Sequence, residues 1–211
     1  MAAQKDDIII GVDFDNTIVC YDKVFHSIAV KKGCIPINVP QAKEEVRNYL
    51  REHGKEEMWV ELQGMAYGPE ILNAKPFDGV MDFFMDCKKH KIIVYIISHK
   101  TLYPFLGLKH SLHEYAQLWL ERQGFYNSKK IGLTKDEVFF ELTKEEKLKR
   151  IIKQGCTHFV DDLPEFLSEK GFPKQTSPIL FDPNGKCKSP NKNTNNFECV
   201  SSWNEMSKKI I

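Results

Sequence analysis

The run Ile8-Ile9-Ile10-Gly11-Val12 is short, apolar and β-branched, the pattern of a strand buried on both faces of a sheet. Similar runs follow at Ile92–Ile97, Val138–Phe140 and Thr157–Val160, and Pro178-Ile179-Leu180-Phe181 is a fifth candidate. Helical patterns separate them. Val80, Phe83, Phe84 and Cys87 recur at helical spacing behind Asp78, a possible cap. Ser111-Leu112-His113-Glu114 and Thr143-Lys144-Glu145-Glu146 are capping boxes, whose helices stop at Gly124 and Gly155. Ser202-Trp203-Asn204-Glu205 opens a short closing helix. Strands alternating with amphipathic helices predict an α/β fold with a doubly wound, Rossmann-like parallel sheet.

One stretch breaks this alternation. About sixty residues between the first strand and the helix behind Asp78 hold no convincing strand and exceed a normal βα loop. Within them Asp22–Lys31, Gln41–His53 and Glu56–Gln63 read as helices, the middle one bounded by Pro40 and Gly54. The pattern predicts an inserted helical cap over residues 19–73 and a core domain made of residues 1–18 and 74–211. The polar, Asn/Lys-rich stretch from Pro183 to Asn196 reads as a mobile loop.

Composition narrows the function classes. Hydrophobic residues at 42% and charged residues at 28% describe a globular chain able to bury a core. Thirty basic against twenty-nine acidic residues leave net +1, without the basic excess of a protein held by nucleic acid or an anionic membrane, so neither partner is expected. The N-terminus lacks the pattern of a secretory signal, and no apolar run reaches the ~20 residues that span a bilayer. Six scattered cysteines without a C-x-x-C pair point to a reducing, cytoplasmic setting rather than zinc.

The chemistry gathers where strands end. Asp13-Phe14-Asp15-Asn16-Thr17 follows the first strand directly, and open α/β sheets bind ligands beyond their carboxyl strand ends. Asp, Asn and Thr also favour plain turns. Ser98 ends the Ile92–Ile97 strand, where its hydroxyl could meet a phosphate oxygen or cap the next segment. Asp161 and Asp162 follow Thr157–Val160; adjacent carboxylates repel unless a cation offsets them, though a helix N-terminus would also favour them. Oxygen-only ligands without His or Cys favour magnesium over zinc. A lysine on the preceding helix, Lys147 or Lys144, completes the set.

In this order and placement, the series resembles the haloacid dehalogenase-like (HAD) hydrolase superfamily, phosphatase type, over the core from Ile8 to about Pro183. Asp13-Phe14-Asp15-Asn16-Thr17 matches the family's D-x-D-x-T, Val160-Asp161-Asp162 matches the paired-aspartate form of its last motif, and the cap falls where the family inserts one. The resemblance implies that Asp13 is the nucleophile that takes the phosphoryl group and that Asp15 is the general acid and base. It implies that Ser98 and Lys147 bind the phosphate, with Thr17 in the same group and holding Asp15 in place. It further implies that Asp13, Asp161, Asp162 and the Asp15 carbonyl serve Mg²⁺. The substrate expected is a small phosphorylated metabolite. Alternatives are a phosphotransferase or phosphomutase using the same aspartyl-phosphate, a non-catalytic domain of the same fold, and a receiver-like domain phosphorylated on a later strand.

Overall fold

The computed structural model describes residues 8–185 and 197–211. Along the chain come β1 (Ile9–Val12), β2 (Val19–Cys20), α1 (Asp22–Lys31), α2 (Lys43–Glu52), α3 (Glu56–Tyr67), β3 (Lys75–Pro76), α4 (Val80–Lys89) and β4 (Ile93–His99). Then follow α5 (Leu112–Gln123), β5 (Val138–Glu141), α6 (Lys144–Lys153), β6 (His158–Asp161), α7 (Pro164–Leu167), β7 (Ser177–Phe181), β8 (Glu198–Val200) and α8 (Trp203–Ile210). All five expected strands form. β8 is an addition that its three residues were too short to announce. Most of the expected mobile loop, 186–196, lies outside the described residues.

Contacts divide the chain into two compact units. The first takes the described parts of Met1–Ile18, Phe77–His99 and Tyr126–Ile211. Its sheet runs β5-β4-β1-β6-β7-β8, parallel throughout. Neighbouring residues on a strand face opposite sides, and β7 shows what each side meets. Leu180 joins a core with Ile151 of α6 and Phe166 of α7. Phe181 meets Trp203 of α8, which in turn meets Phe83 and Phe84 of α4. Helices therefore cover both faces, as a doubly wound sheet requires. In the centre, Gly11 pairs with Phe159 across β1 and β6, and a Cβ at Gly11 would stand 2.5 Å from the Phe159 ring. Glycine at this position lets a buried aromatic lie against the strand.

The helix α4 corrects one expectation. Its first residue is preceded by Gly79 with no side-chain cap, so Asp78 does not cap it. Val80, Phe83, Phe84 and Cys87 are buried as their spacing predicts. Ser111, Thr143 and Ser202 do cap their helices, each accepting from the backbone N–H three residues on.

The second unit comprises Val19–Pro76 and Lys100–Phe125. Its helices α1, α2 and α3 occur where periodicity puts them, and Phe25 stacks on Trp59 with ring centroids 4.8 Å apart. Lys100–Phe125, assigned from sequence to the core domain, clusters here instead. Trp119 of α5 is fully buried and donates its indole N–H to the Ala74 carbonyl at 3.0 Å, while His110 Nε2 lies 3.0 Å from the Gly64 carbonyl. Such pairings are non-local, so α5 reads from sequence as an ordinary crossover helix. The stretch expected to lack strands also holds a minimal antiparallel pair, Val19–Cys20 against Lys75–Pro76, too short for a period-two pattern. Among the described residues, no helix is long and apolar enough to cross a membrane.

Candidate active site

The site is assembled by register. Val12 pairs with Ile96 on one side and Val160 on the other, so Asp13 leaves the sheet beside the tips that carry Ser98 and Asp161. A backbone bond from Asp13 N–H to the Val160 carbonyl, 2.9 Å, extends the pairing to the aspartate itself. Past it the chain turns: Asn16 takes a left-handed φ of 61°, which an Asn tolerates better than most residues. Ile18 N–H then bonds the Phe14 carbonyl at 3.0 Å, and the Trp203 indole donates to the Thr17 carbonyl at 3.2 Å. The turn-forming reading of Asp13–Thr17 therefore holds, and the turn sets Asp13 at the strand tip. Trp203 lies 186 residues away in sequence, where it reads only as the start of the closing helix and not as a partner of this turn.

Four of the expected residues meet directly. Ser98 Oγ donates to Asp13 Oδ1 at 2.8 Å. Lys147 Nζ donates to the same oxygen and to Asp161 Oδ2, each at 2.6 Å. All three bonds involve groups at most 7% exposed by side chain or classed buried. Asp161 Oδ1 also accepts from Leu163 N–H at 2.9 Å, which fixes the carboxylate against the turn into α7. Lys147 is buried and is the lysine that reaches Asp13, whereas Lys144 is exposed. The ammonium further sits 4.2 Å from the Phe166 ring centroid and 5.3 Å from that of Phe159. These two rings wall the lysine; their apolar character reads from sequence only as core.

The electrostatics follow from burial. Desolvation pushes the Asp13 carboxyl from 3.8 up to about 6 against the opposing pull of Lys147, and the charges of Asp161 and Asp15 add to the rise. Burial works against the Lys147 ammonium, but the two carboxylates outweigh it and hold its pKa above the usual lysine range. Asp15 is half-buried, near enough for its charge to bear on Asp13. Thr17 differs from expectation: it is wholly buried and its hydroxyl has no hydrogen-bond partner, a setting that offers a substrate phosphate no open face.

Carboxylate oxygens of Asp13, Asp161 and Asp162 all lie within 4.8 Å of one another. Two Mg–O bonds of ~2.1 Å placed opposite each other span about 4.2 Å, so this oxygen-only trio is close to the size a magnesium ion needs. Its charge fits too. Three carboxylates face one lysine, which bonds two of them, leaving an excess suited to a divalent cation.

Structural comparison identifies the fold. The chain has the fold of haloacid dehalogenase-like hydrolases. A HAD-hydrolase from Bacillus subtilis, solved with magnesium bound, superposes with TM-score 0.57 at 15% identity, over 97% of this chain and 99% of that one. A HAD hydrolase of family IA, variant 3, from Entamoeba histolytica gives 0.56 at 14% over 94% of each. A structure described as a dehalogenase gives 0.54 at 10% over 98% of each. No family model matches the chain, and no curated protein does. At such identities the likeness speaks for the fold, and the particular chemistry must be argued from the side chains.

Proposed function

We propose that the chain is a magnesium-dependent phosphohydrolase of the HAD superfamily, acting on a small phosphomonoester through a phosphorylated Asp13. The observation that carries this reading is the buried triad: Asp13 bonded at one oxygen by both Ser98 and Lys147, with Lys147 reaching on to Asp161. Those bonds fall on Oδ1 and leave Oδ2 to attack. In the first step a carboxylate oxygen of Asp13 forms a bond to phosphorus as the ester oxygen leaves, and Asp15 gives that oxygen its proton. In the second, Asp15 takes a proton from a water that attacks phosphorus; the Asp13–phosphate bond breaks and inorganic phosphate departs. Lys147 and the Ser98 hydroxyl offset charge on the phosphoryl oxygens.

Asp13, Asp161, Asp162 and the Asp15 carbonyl would hold Mg²⁺, which supplies two positive charges to an otherwise repulsive meeting of dianion and carboxylates. Like unit charges at ~4 Å repel by about 4 kcal/mol at an effective dielectric near 20, and that repulsion has to be offset before phosphorus comes within reach. Cys34, Cys87 and Cys156 are buried free thiols, which suits a reducing, cytoplasmic setting.

Hydrolysis of a carbon–halogen bond is the rival within the fold. A halide leaves without a proton and its substrate brings no dianion, so Asp15 would have no acid role and the acidic trio no phosphate charge to offset through a cation. The test is a screen over phosphorylated metabolites and 2-haloacids with Mg²⁺, run on wild type and Asp13→Asn. Release of inorganic phosphate by wild type alone is expected. Phosphate appearing on an added alcohol or sugar would favour the phosphotransferase, and halide release without phosphatase activity would overturn the reading.

A further inference from the structure

The first unit carries a second charged feature, away from the sheet's carboxyl ends in sequence and unused by the chemistry above. Lys88, Lys89, His90 and Lys91 end α4 and are all exposed. Forty residues on, Lys129 and Lys130 are exposed as well. Lys88 brings the two runs together, its Nζ donating to the Ser128 carbonyl at 2.5 Å and the Lys130 carbonyl at 3.1 Å. The remaining lysines, Lys89, Lys91, Lys129 and Lys130, enter no ion pair among the described residues. Of the acids of the helix, Asp82 lies in the first turn, and Asp86, in the last, is the one carboxylate of α4 beside the cluster, against five lysines.

Lysines at a helix C-terminus can merely answer the helix dipole. Lys91 goes further than that. Helices α1, α2, α4, α5 and α6 close alike, with an N–H bonded to the carbonyl five residues back: Cys34 to Ala29, Lys55 to Leu50, Ile92 to Cys87, Phe125 to Leu120, Cys156 to Ile151. The residue before that N–H is left-handed in every case. It is Gly33, Gly54, Gly124 and Gly155 in four of the helices, with φ between +63° and +86°, and Lys91 at +58° in α4. A lysine there holds a conformation that glycine adopts without strain, so its side chain is kept at a cost to the fold.

We propose that this lysine cluster is a docking surface for an acidic segment of another protein, rich in Asp and Glu. Three features select that partner over a nucleic acid or a lipid surface. The cluster contains no arginine, whose planar fork is the preferred reader of phosphate. Apart from the small imidazole of His90 it exposes no aromatic ring on which a base could stack. The whole chain is nearly neutral at net +1, so an extended polyanion would meet acidic surface as often as basic, whereas a short segment of about the ~8–10 Å screening length can stay on the lysines.

The experiment uses a fluorescein-labelled octaglutamate peptide and anisotropy at low salt. The triple variant Lys89→Gln, Lys129→Gln, Lys130→Gln should weaken binding by about tenfold. A control that removes equal charge from exposed sites elsewhere, Lys23→Gln, Lys31→Gln, Lys170→Gln, should change it by no more than about twofold. Lys91→Gly should raise the thermal transition by about 2 °C while weakening the peptide, a combination that a purely structural lysine would not give. Equal loss in the triple variant and the control would overturn the proposal, as would tighter binding to duplex DNA or to phosphatidylserine vesicles than to the peptide.

Discussion

Lys147 answers two buried carboxylates at once, at 2.6 Å each, and the consequences of removing it are correspondingly specific. Lys147→Met keeps the stem against Phe159 and Phe166 but leaves Asp13 and Asp161 without their cation. Breaking a buried pair in this way costs about 3–5 kcal/mol. We predict that urea denaturation at pH 7 shows a loss of that order, smaller at pH 5 because a proton can then replace the missing charge; an equal loss at both pH values would contradict the account. Turnover should fall by about 10²–10³-fold. The wild type carries its own pH signature. Asp13 is raised from 3.8 to about 6, so its contribution to stability is full below pH 3.8 and is lost as pH rises through the window up to about 6. On the proposed mechanism activity runs the other way, because only the ionised carboxylate would attack. The acid limb of kcat/KM should therefore bend near pH 6 at limiting Mg²⁺ and move lower as Mg²⁺ is raised, since a bound cation favours the carboxylate. A limb indifferent to Mg²⁺ would argue against Asp13 as a ligand.

Elements, more than residues, decide where these groups sit, and α6 is the clearest case. Thr143 accepts from Glu146 N–H at 3.1 Å and Glu146 returns a bond to Thr143 N–H at 3.1 Å, closing the first turn of the helix. Lys147 is the next residue. Thr143→Ala should cost about 1 kcal/mol by denaturation and lower kcat more than KM, because a frayed first turn loosens the lysine without touching the substrate. This cap was legible in the sequence because its pattern is local, as were the Ser111 and Ser202 caps. The strand tips were legible for a similar reason: an apolar run ending in Asp13, Ser98 or Asp161 places the side chain beyond the sheet whatever the packing. What the sequence could not reveal depends on distant partners. Asp78 is a good cap by type, yet the chain enters α4 through Gly79. Thr17 sits in the first motif, yet its hydroxyl is buried. The choice between Lys144 and Lys147 needed the helix's rotation, which only the burial of one face fixes.

At the scale of the whole molecule, the chain passes between its two units four times, at 18/19, 76/77, 99/100 and 125/126. Both segments of the second unit thus begin and end in the first, and α5 reaches the second unit only because β4 and β5 hold its ends. Unfolding the first unit frees all four of those ends, which raises the entropy needed to close the second unit's contacts. A cation held by Asp13, Asp161 and Asp162 would bind through residues of the first unit. At a hundredfold excess over its dissociation constant it adds about 2.7 kcal/mol. In a chain this long, that moves the transition by roughly 5–10 °C. The tryptophans report each unit separately, Trp203 in the first and Trp59 and Trp119 in the second. We predict one calorimetric transition that Mg²⁺ shifts as a whole, with single-tryptophan variants of both units melting together and Asp161→Asn removing the shift. Should Trp59 and Trp119 melt at a temperature that Mg²⁺ leaves untouched, the second unit folds on its own, and the four crossings join two independent bodies rather than one cooperative one.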